Sequence, residues 1–408
     1  MDAHQVVLLQ QKRTIKVLAI AQVLNGLGVA GTVAAGSLLV SSITDSETLA
    51  GLAQTSSVLG AAALAIPLAR LTARGGRRLA LSVGYLSGVI GSLLAIIGGT
   101  TKLLSFMLLG TFLVGAASAA GYQARFAAID LASNEHRARH LSFVVWGLTI
   151  GAVIGPNLMD PSGRVAESLG LPHLVGPYLI SSITLLLSTF VIQIFLKPDP
   201  YLTARTLRGE TNQEKREIKK ALRYIADNPA ALFAILAIAA GHIAMVTIMV
   251  MTPVHMKHVD VTLTVIGLVI SVHVLGMYAF SPLVGTLSDR IGRVKTIRIG
   301  VVTLLLAALI SGRAHADDAV QLGIGLFILG LGWSFTLIAG STFLTESVSQ
   351  ELKASAQGAS DLVMNLSGAF GGAIAGVVIA TLSYGWLCAL AAIPISLLGL
   401  WSLKINKV

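Results

Sequence analysis

Long apolar runs broken by short polar connections dominate the chain. They fall at about 14–40, 49–72, 78–99, 103–128, 140–160, 174–196, 229–256, 262–284, 295–313, 319–345, 354–383 and 385–404. About 20 apolar residues cross a bilayer as a helix, so this pattern predicts twelve transmembrane helices in an all-α membrane protein. One long polar segment, 197–228, interrupts the rhythm and carries eight basic and five acidic residues. It divides the chain into an N-terminal six-helix bundle (1–196), a cytoplasmic linker (197–228) and a C-terminal six-helix bundle (229–408). Within the linker, Thr211 and Glu214 have the spacing of a capping box, and Ile218, Leu222 and Ile225 recur on one face. A short amphipathic surface helix is expected there.

The two bundles are related by sequence. At an offset of 216 the stretch 69–78 aligns with 285–294, Asp130 falls on Glu346, and Gly155 on Gly371. Parallel six-helix repeats of this kind predict two pseudo-symmetric bundles, with a substrate site near the bilayer midplane at the repeat interface.

Composition narrows the class. With 54% hydrophobic and 12% charged residues and a mean hydropathy of +0.81, the chain is too apolar for a soluble globular protein. The net charge of +10 raises the question of nucleic acid, but its distribution answers it. Assigning alternate loops to opposite sides puts 25 of the 29 Lys and Arg residues on the side of the N-terminus. The excess is therefore a topology signal that predicts cytoplasmic termini in a multi-pass plasma-membrane protein, with no aromatic-interleaved basic patch for nucleic acid. The single cysteine, Cys388, permits no intramolecular disulfide. Lys12, Arg13 and Lys16 precede the first apolar run without a cleavage signature, so that run is expected to remain as a helix. No nucleophile is paired with a base, which argues against an enzyme, and no cofactor is expected.

Candidate chemistry is concentrated between His242 and Met277, which holds five of the nine methionines and four of the nine histidines. Met245 and Met249 are four apart on the predicted seventh helix, as are His273 and Met277 on the eighth, so each pair shares a helix face. A short turn near Val259 and Asp260 makes these helices antiparallel neighbours, with Met245 facing His273 and His242 level with Met277. Thioether sulfur and neutral imidazole suit a soft monocation such as Cu(I), and no carboxylate lies among them inside the membrane. His242 is a candidate inner relay; His255, Met256 and His258 at the outer helix end are candidates for capture. Asp361, beside Asn365 on the eleventh helix, is a candidate for proton coupling. Arg125, Asp130 and Glu346 lie near helix ends where ion pairs are expected.

The stretch Gly285-Thr-Leu-Ser-Asp289-Arg290-Ile-Gly292-Arg293 resembles the loop signature of the major facilitator superfamily, a gating motif. The first copy departs from it, with Ala69 for glycine and Ala73 for aspartate. Within that superfamily the Met/His pairs look like those of CcoA-like copper importers, which supply copper for haem-copper oxidase assembly. This resemblance implies Met245, Met249, His273 and Met277 as the copper-handling positions in a bacterial inner-membrane importer. Its implied partners are a copper ion or small copper complex, membrane lipid and a cytoplasmic copper acceptor. The same branch includes riboflavin importers, for which Trp146 and Trp333 could line a cavity. A drug/proton antiporter is the third expectation, suggested by Gly147, Gly151, Gly155 and Pro156.

Overall fold

The computed structural model describes residues 3–45, 49, 52–207, 218–257, 261 and 263–405. They form α1 (Ala3–Thr44), α2 (Leu52–Thr101), α3 (Leu104–Ala127), α4 (Arg137–Asn157), α5 (Met159–Ser168), α6 (Gly176–Phe195), α7 (Pro200–Leu207), α8 (Ile218–Asp227), α9 (Pro229–Lys257), α10 (Leu263–Tyr278), α11 (Ser281–Ile291), α12 (Arg293–Gly312), α13 (Ala319–Ser347), α14 (Lys353–Thr381) and α15 (Tyr384–Ser402), with no strand among the described residues. Among the described residues, eleven stretches are long and apolar enough to span a membrane. One of them, α2, turns sharply at Gly76 and so contains two of the expected spans, which restores the count of twelve. The eighth span is broken: α10 ends at Tyr278, and α11 restarts at Ser281 with Pro282 in its first turn, where proline's missing N–H is tolerated.

Gly76 (φ 85°, ψ 176°) and Gly292 (φ 95°, ψ 158°) occupy equivalent places in the repeat, both in a backbone region open essentially only to glycine. The residues that follow them behave alike. Arg77 Nε donates to Asp130 at 2.8 Å, and Arg293 Nη2 donates to Glu346 at 2.9 Å. The 216-residue repeat is therefore physical as well as textual: the same kink and the same ion pair recur in each copy. Replacing Gly292 with alanine meets no atom within 4 Å, so its cost is the backbone strain alone, about 1–3 kcal/mol. At Gly76 an added methyl would lie 2.5 Å from the Asp199 carboxylate, which already accepts from the Arg78 N–H at 2.7 Å and from the first turn of α7. Gly76→Ala should accordingly lower the thermal midpoint of the detergent-solubilised protein more than Gly292→Ala; equal midpoints would contradict this account.

The described chain divides into two compact units. The first comprises Met1–Ser133, Phe143–Glu217 and Gln357–Asn365; the second comprises Asn134–Ser142, Ile218–Ala356 and Leu366–Val408. The division departs from the expected halves at two short segments, and side-chain bonds account for both. In the first unit Gln357 and Asp361 join a buried network: Arg77 Nη2 donates to Gln357 at 2.7 Å, and Gln123 and Arg125 donate to the two Asp361 oxygens at 2.6 and 2.7 Å. In the second unit the first turn of α4 is held by Asp289, which accepts from the N–H groups of Ala138 and Arg139 at 3.1 and 2.8 Å. A carboxylate at a helix N-terminus satisfies orphan donors and favours the helix dipole.

Within the first unit α2 packs on α3 through close backbone approaches. A methyl at Gly91 would meet the Gly110 carbonyl at 2.5 Å, as suits helices that associate in lipid through small residues. Leu39, Val40, Met107, Val175 and Tyr178 form part of its core. The linker holds two short helices, α7 and α8. In α8 Ala221 and Ile225 are buried and Leu222 is exposed, so of the expected apolar residues Ile225 turns toward the protein and Leu222 away from it. The Thr211–Glu214 capping box lies outside the described residues. Helix α5 was not anticipated. It is supported by an exposed Asp160–Arg164 pair one turn apart, whose hydrogen bond holds the Asp160 carboxyl below the usual range.

Candidate functional site

The candidate ligands all lie in the second unit, and α13 organises them. Helices α9 and α10 scarcely touch; each packs instead against α13. On the α9 side, a methyl at Gly241 would collide with the Thr336 side chain, and His242 is bonded to Trp333, so the two helices run antiparallel. On the α10 side, His273 meets Leu326 and Ser281 meets Ser334, a constant offset that makes α10 and α13 parallel. Close contact is allowed by glycine: a methyl at Gly330 would lie 2.5 Å from the His273 carbonyl, and one at Gly276 would lie 2.2 Å from that of Phe327.

With α13 as a common ruler, Met249 is level with His273, and Met245 with Met277. This corrects the expected register, in which Met245 faced His273. The physical reason is that these consecutive helices are not packed neighbours; α13 is the shared partner of both. The four candidates fall at two adjacent levels along α13, on two helices that scarcely touch each other, with Met245 (4% exposed), Met277 (6%) and His273 (0%) buried and Met249 partly so.

The histidines differ in a way that matters for metal chemistry. His273 Nδ1 lies 2.7 Å from the Leu326 carbonyl, which can only accept, so Nδ1 carries the proton. Its Nε2 therefore presents a lone pair, and that buried atom has no hydrogen-bond partner among the described residues. A ring held through Nδ1–H by a backbone carbonyl, with Nε2 open, is the arrangement that orients a ligating imidazole. His242 is the reverse. Trp333 Nε1, a donor only, reaches His242 Nδ1 at 3.0 Å, so in His242 the proton resides on Nε2 and the Nδ1 lone pair is engaged. The expected relay role for His242 is thus at odds with its bonding: it serves as the acceptor for a buried indole. Tyr278 packs edge-on against the same Trp333 at 5.7 Å between centroids.

At the far end of α9, His255 stacks on Tyr384 at 4.3 Å, and Thr252 and Tyr384 share a hydroxyl hydrogen bond of 2.7 Å. Met256 is 0% exposed, which corrects its candidacy for capture from solution, because a fully buried thioether cannot meet an incoming ion first. His258 lies outside the described residues. Asp361 is fully buried and paired with Arg125, so it belongs with the expected ion-pairing residues and does not stand alone as an intramembrane carboxylate. In the gating motif, Asp289 also accepts from Arg293, whose guanidinium reaches Glu346 and the Asn134 carbonyl, while Gly285 lies where a methyl would strike Ser142. Arg290 is exposed.

The sequence matches the profile described as Major Facilitator Superfamily over residues 18–263 and 243–407. The chain belongs to the major facilitator superfamily. It is therefore a multi-pass secondary transporter and not an enzyme. It is 35% identical over 392 residues to YdeG of Bacillus subtilis, called an uncharacterized MFS-type transporter, spanning 94% of this chain and 91% of that one. It is 27% identical over 356 residues to the riboflavin transporter RfnT of Brucella anthropi, spanning 86% and 85%. Its fold matches the E. coli fucose:proton symporter FucP with a TM-score of 0.73 at 15% identity, covering 97% of this chain and 99% of that one. At that identity the last likeness concerns the superfamily fold alone.

Proposed function

We propose that this major facilitator carries copper, as Cu(I), into the cytoplasm of a bacterial cell across its inner membrane, with both termini cytoplasmic. The observation that carries the reading is the buried His273 Nε2 lone pair, oriented through the Leu326 carbonyl and one helical turn from the buried thioether of Met277. Met245 and Met249 supply two further soft donors at the matching levels of α9. Neutral nitrogen and sulfur donors bind Cu(I) in preference to hard divalent ions, and without thiolate they hold it loosely enough for release. The inward-negative potential draws a monocation inward by roughly 2.3 kcal/mol per 100 mV, so import requires no proton-carrying residue. The copper would be handed to a cytoplasmic acceptor and on to oxidase assembly, as in the importers the motifs resemble.

The second reading is uptake of riboflavin or a similar planar organic solute. It is favoured by the relationship to RfnT and by the His242–Trp333–Tyr278 aromatic group beside the methionines. Uptake of radiocopper and of riboflavin by cells expressing the chain separates the two. We expect copper accumulation that falls several-fold in Met245→Ala and Met249→Ala at unchanged expression. Unchanged copper accumulation in both variants, accompanied by riboflavin uptake, would move the assignment to the organic solute.

A further inference from the structure

Helices α1 and α6 enclose a groove of about 490 Å³ in the first unit, lined by Leu9, Lys12, Arg13, Lys16, Val17, Ile20, Val191 and Phe195. Its two ends differ in chemistry. Lys12, Arg13 and Lys16 gather on one side of it, all exposed, and no carboxylate forms an ion pair with any of them among the described residues. Val17, Ile20, Val191 and Phe195 form an apolar wall next to them, with Ile20 and Phe195 each about half exposed. The residues from α1 recur three and four apart, so cation and apolar wall form one continuous stripe on the helix. The end of α6 is tied in place beside it: Gln10 Nε2 donates to the Pro198 carbonyl at 3.1 Å and to Thr203 Oγ1 at 3.0 Å.

We infer that this groove is a binding site for one anionic phospholipid, its phosphate among Lys12, Arg13 and Lys16 and an acyl chain along Val17, Ile20, Val191 and Phe195. Charge complementarity selects the headgroup: three cations lie together without a neutralising carboxylate among the described residues, at the boundary where a span leaves the hydrocarbon, and basic clusters in that position attract anionic lipid. The adjoining apolar wall selects a lipid over a soluble phosphate, since free phosphate would leave the wall unused. The long stems of Lys and Arg extend the apolar surface while their charged ends remain at headgroup level. The inference is independent of what the transporter carries.

The test uses the full chain, delipidated in neutral detergent, with binding followed by native mass spectrometry and by the thermal midpoint. Dioleoyl phosphatidylglycerol should bind and raise the midpoint, while dioleoyl phosphatidylcholine and glycerol 3-phosphate should not. A triple Lys12→Gln, Arg13→Gln, Lys16→Gln variant should lose phosphatidylglycerol affinity by about tenfold or more, given the contribution of each basic residue near a charged headgroup. Ile20→Ser should weaken it without changing the charge. A control variant neutralised at Arg290 and Lys295, which lie outside the groove, should bind as the wild type does. Equal binding of the two phospholipids, retention of full affinity in the triple variant, or an equal response to glycerol 3-phosphate would each overturn the inference.

Discussion

Replacing His273 with phenylalanine is expected to reduce copper accumulation by about tenfold or more while leaving the fold in place. Phenylalanine fills the volume of a ring that is 0% exposed, so no large cavity forms. The lost Nδ1–H bond to Leu326 costs on the order of 1 kcal/mol. What disappears is the Nε2 lone pair, and even residues that only orient a metal ligand change metal affinity by about 10–100-fold when removed. His242→Phe is the matched comparison. It removes an imidazole of the same size about two turns away along α13, and one whose Nδ1 is engaged by Trp333, so copper uptake should change far less. Equal losses in the two variants would argue against the assignment of the open lone pair to His273.

The largest expected effect on stability lies in the first unit. Arg125→Leu leaves the Asp361 carboxylate, 0% exposed, without the guanidinium that donates to it at 2.7 Å. Removing one member of a buried ion pair strands the other charge and costs about 3–5 kcal/mol. Gln123 still donates at 2.6 Å, but one amide does not replace a cation. Adding Asp361→Asn to Arg125→Leu should recover most of the loss, because the orphaned charge is then gone. Thermal midpoints of the two variants, read by size-exclusion chromatography after heating, decide the matter; a double variant less stable than Arg125→Leu alone would show that stranded charge is not the cause.

Much of this architecture was legible from residue order. The apolar runs define the spans, and the 216-residue repeat anticipates the paired kinks at Gly76 and Gly292 together with the paired bonds of Arg77 and Arg293. These features depend on local backbone chemistry and on charges that recur at fixed spacing. The candidate site was legible in its residue types but not in its register. Helices α9 and α10 are consecutive, and sequence proximity suggests contact. Which helices approach is decided in lipid by small residues, and the informative signal was Gly330 on α13 with Gly276 opposite on α10 and, for the α9 contact, Gly340 on α13 and Gly241 on α9. The pairing of His242 with Trp333 was likewise hidden: a buried indole requires an acceptor, but sequence alone does not say which one. The burial of Met256 was hidden as well, since exposure at a helix end depends on which other helices pack there.

The break between Tyr278 and Ser281 carries a consequence for transport. An unbroken rod transmits a tilt along its whole length, whereas a joint two residues long, followed by a proline that has no N–H to lose, absorbs one locally. The span therefore changes direction at Ala279 and Phe280, between the half that carries His273 and the half that carries Asp289, and both halves are held to α13, the first through Leu326 and the second through Ser334. Movement at that point would displace the Asp289 end relative to the His273 end, with the Ser281–Ser334 contact the first to give.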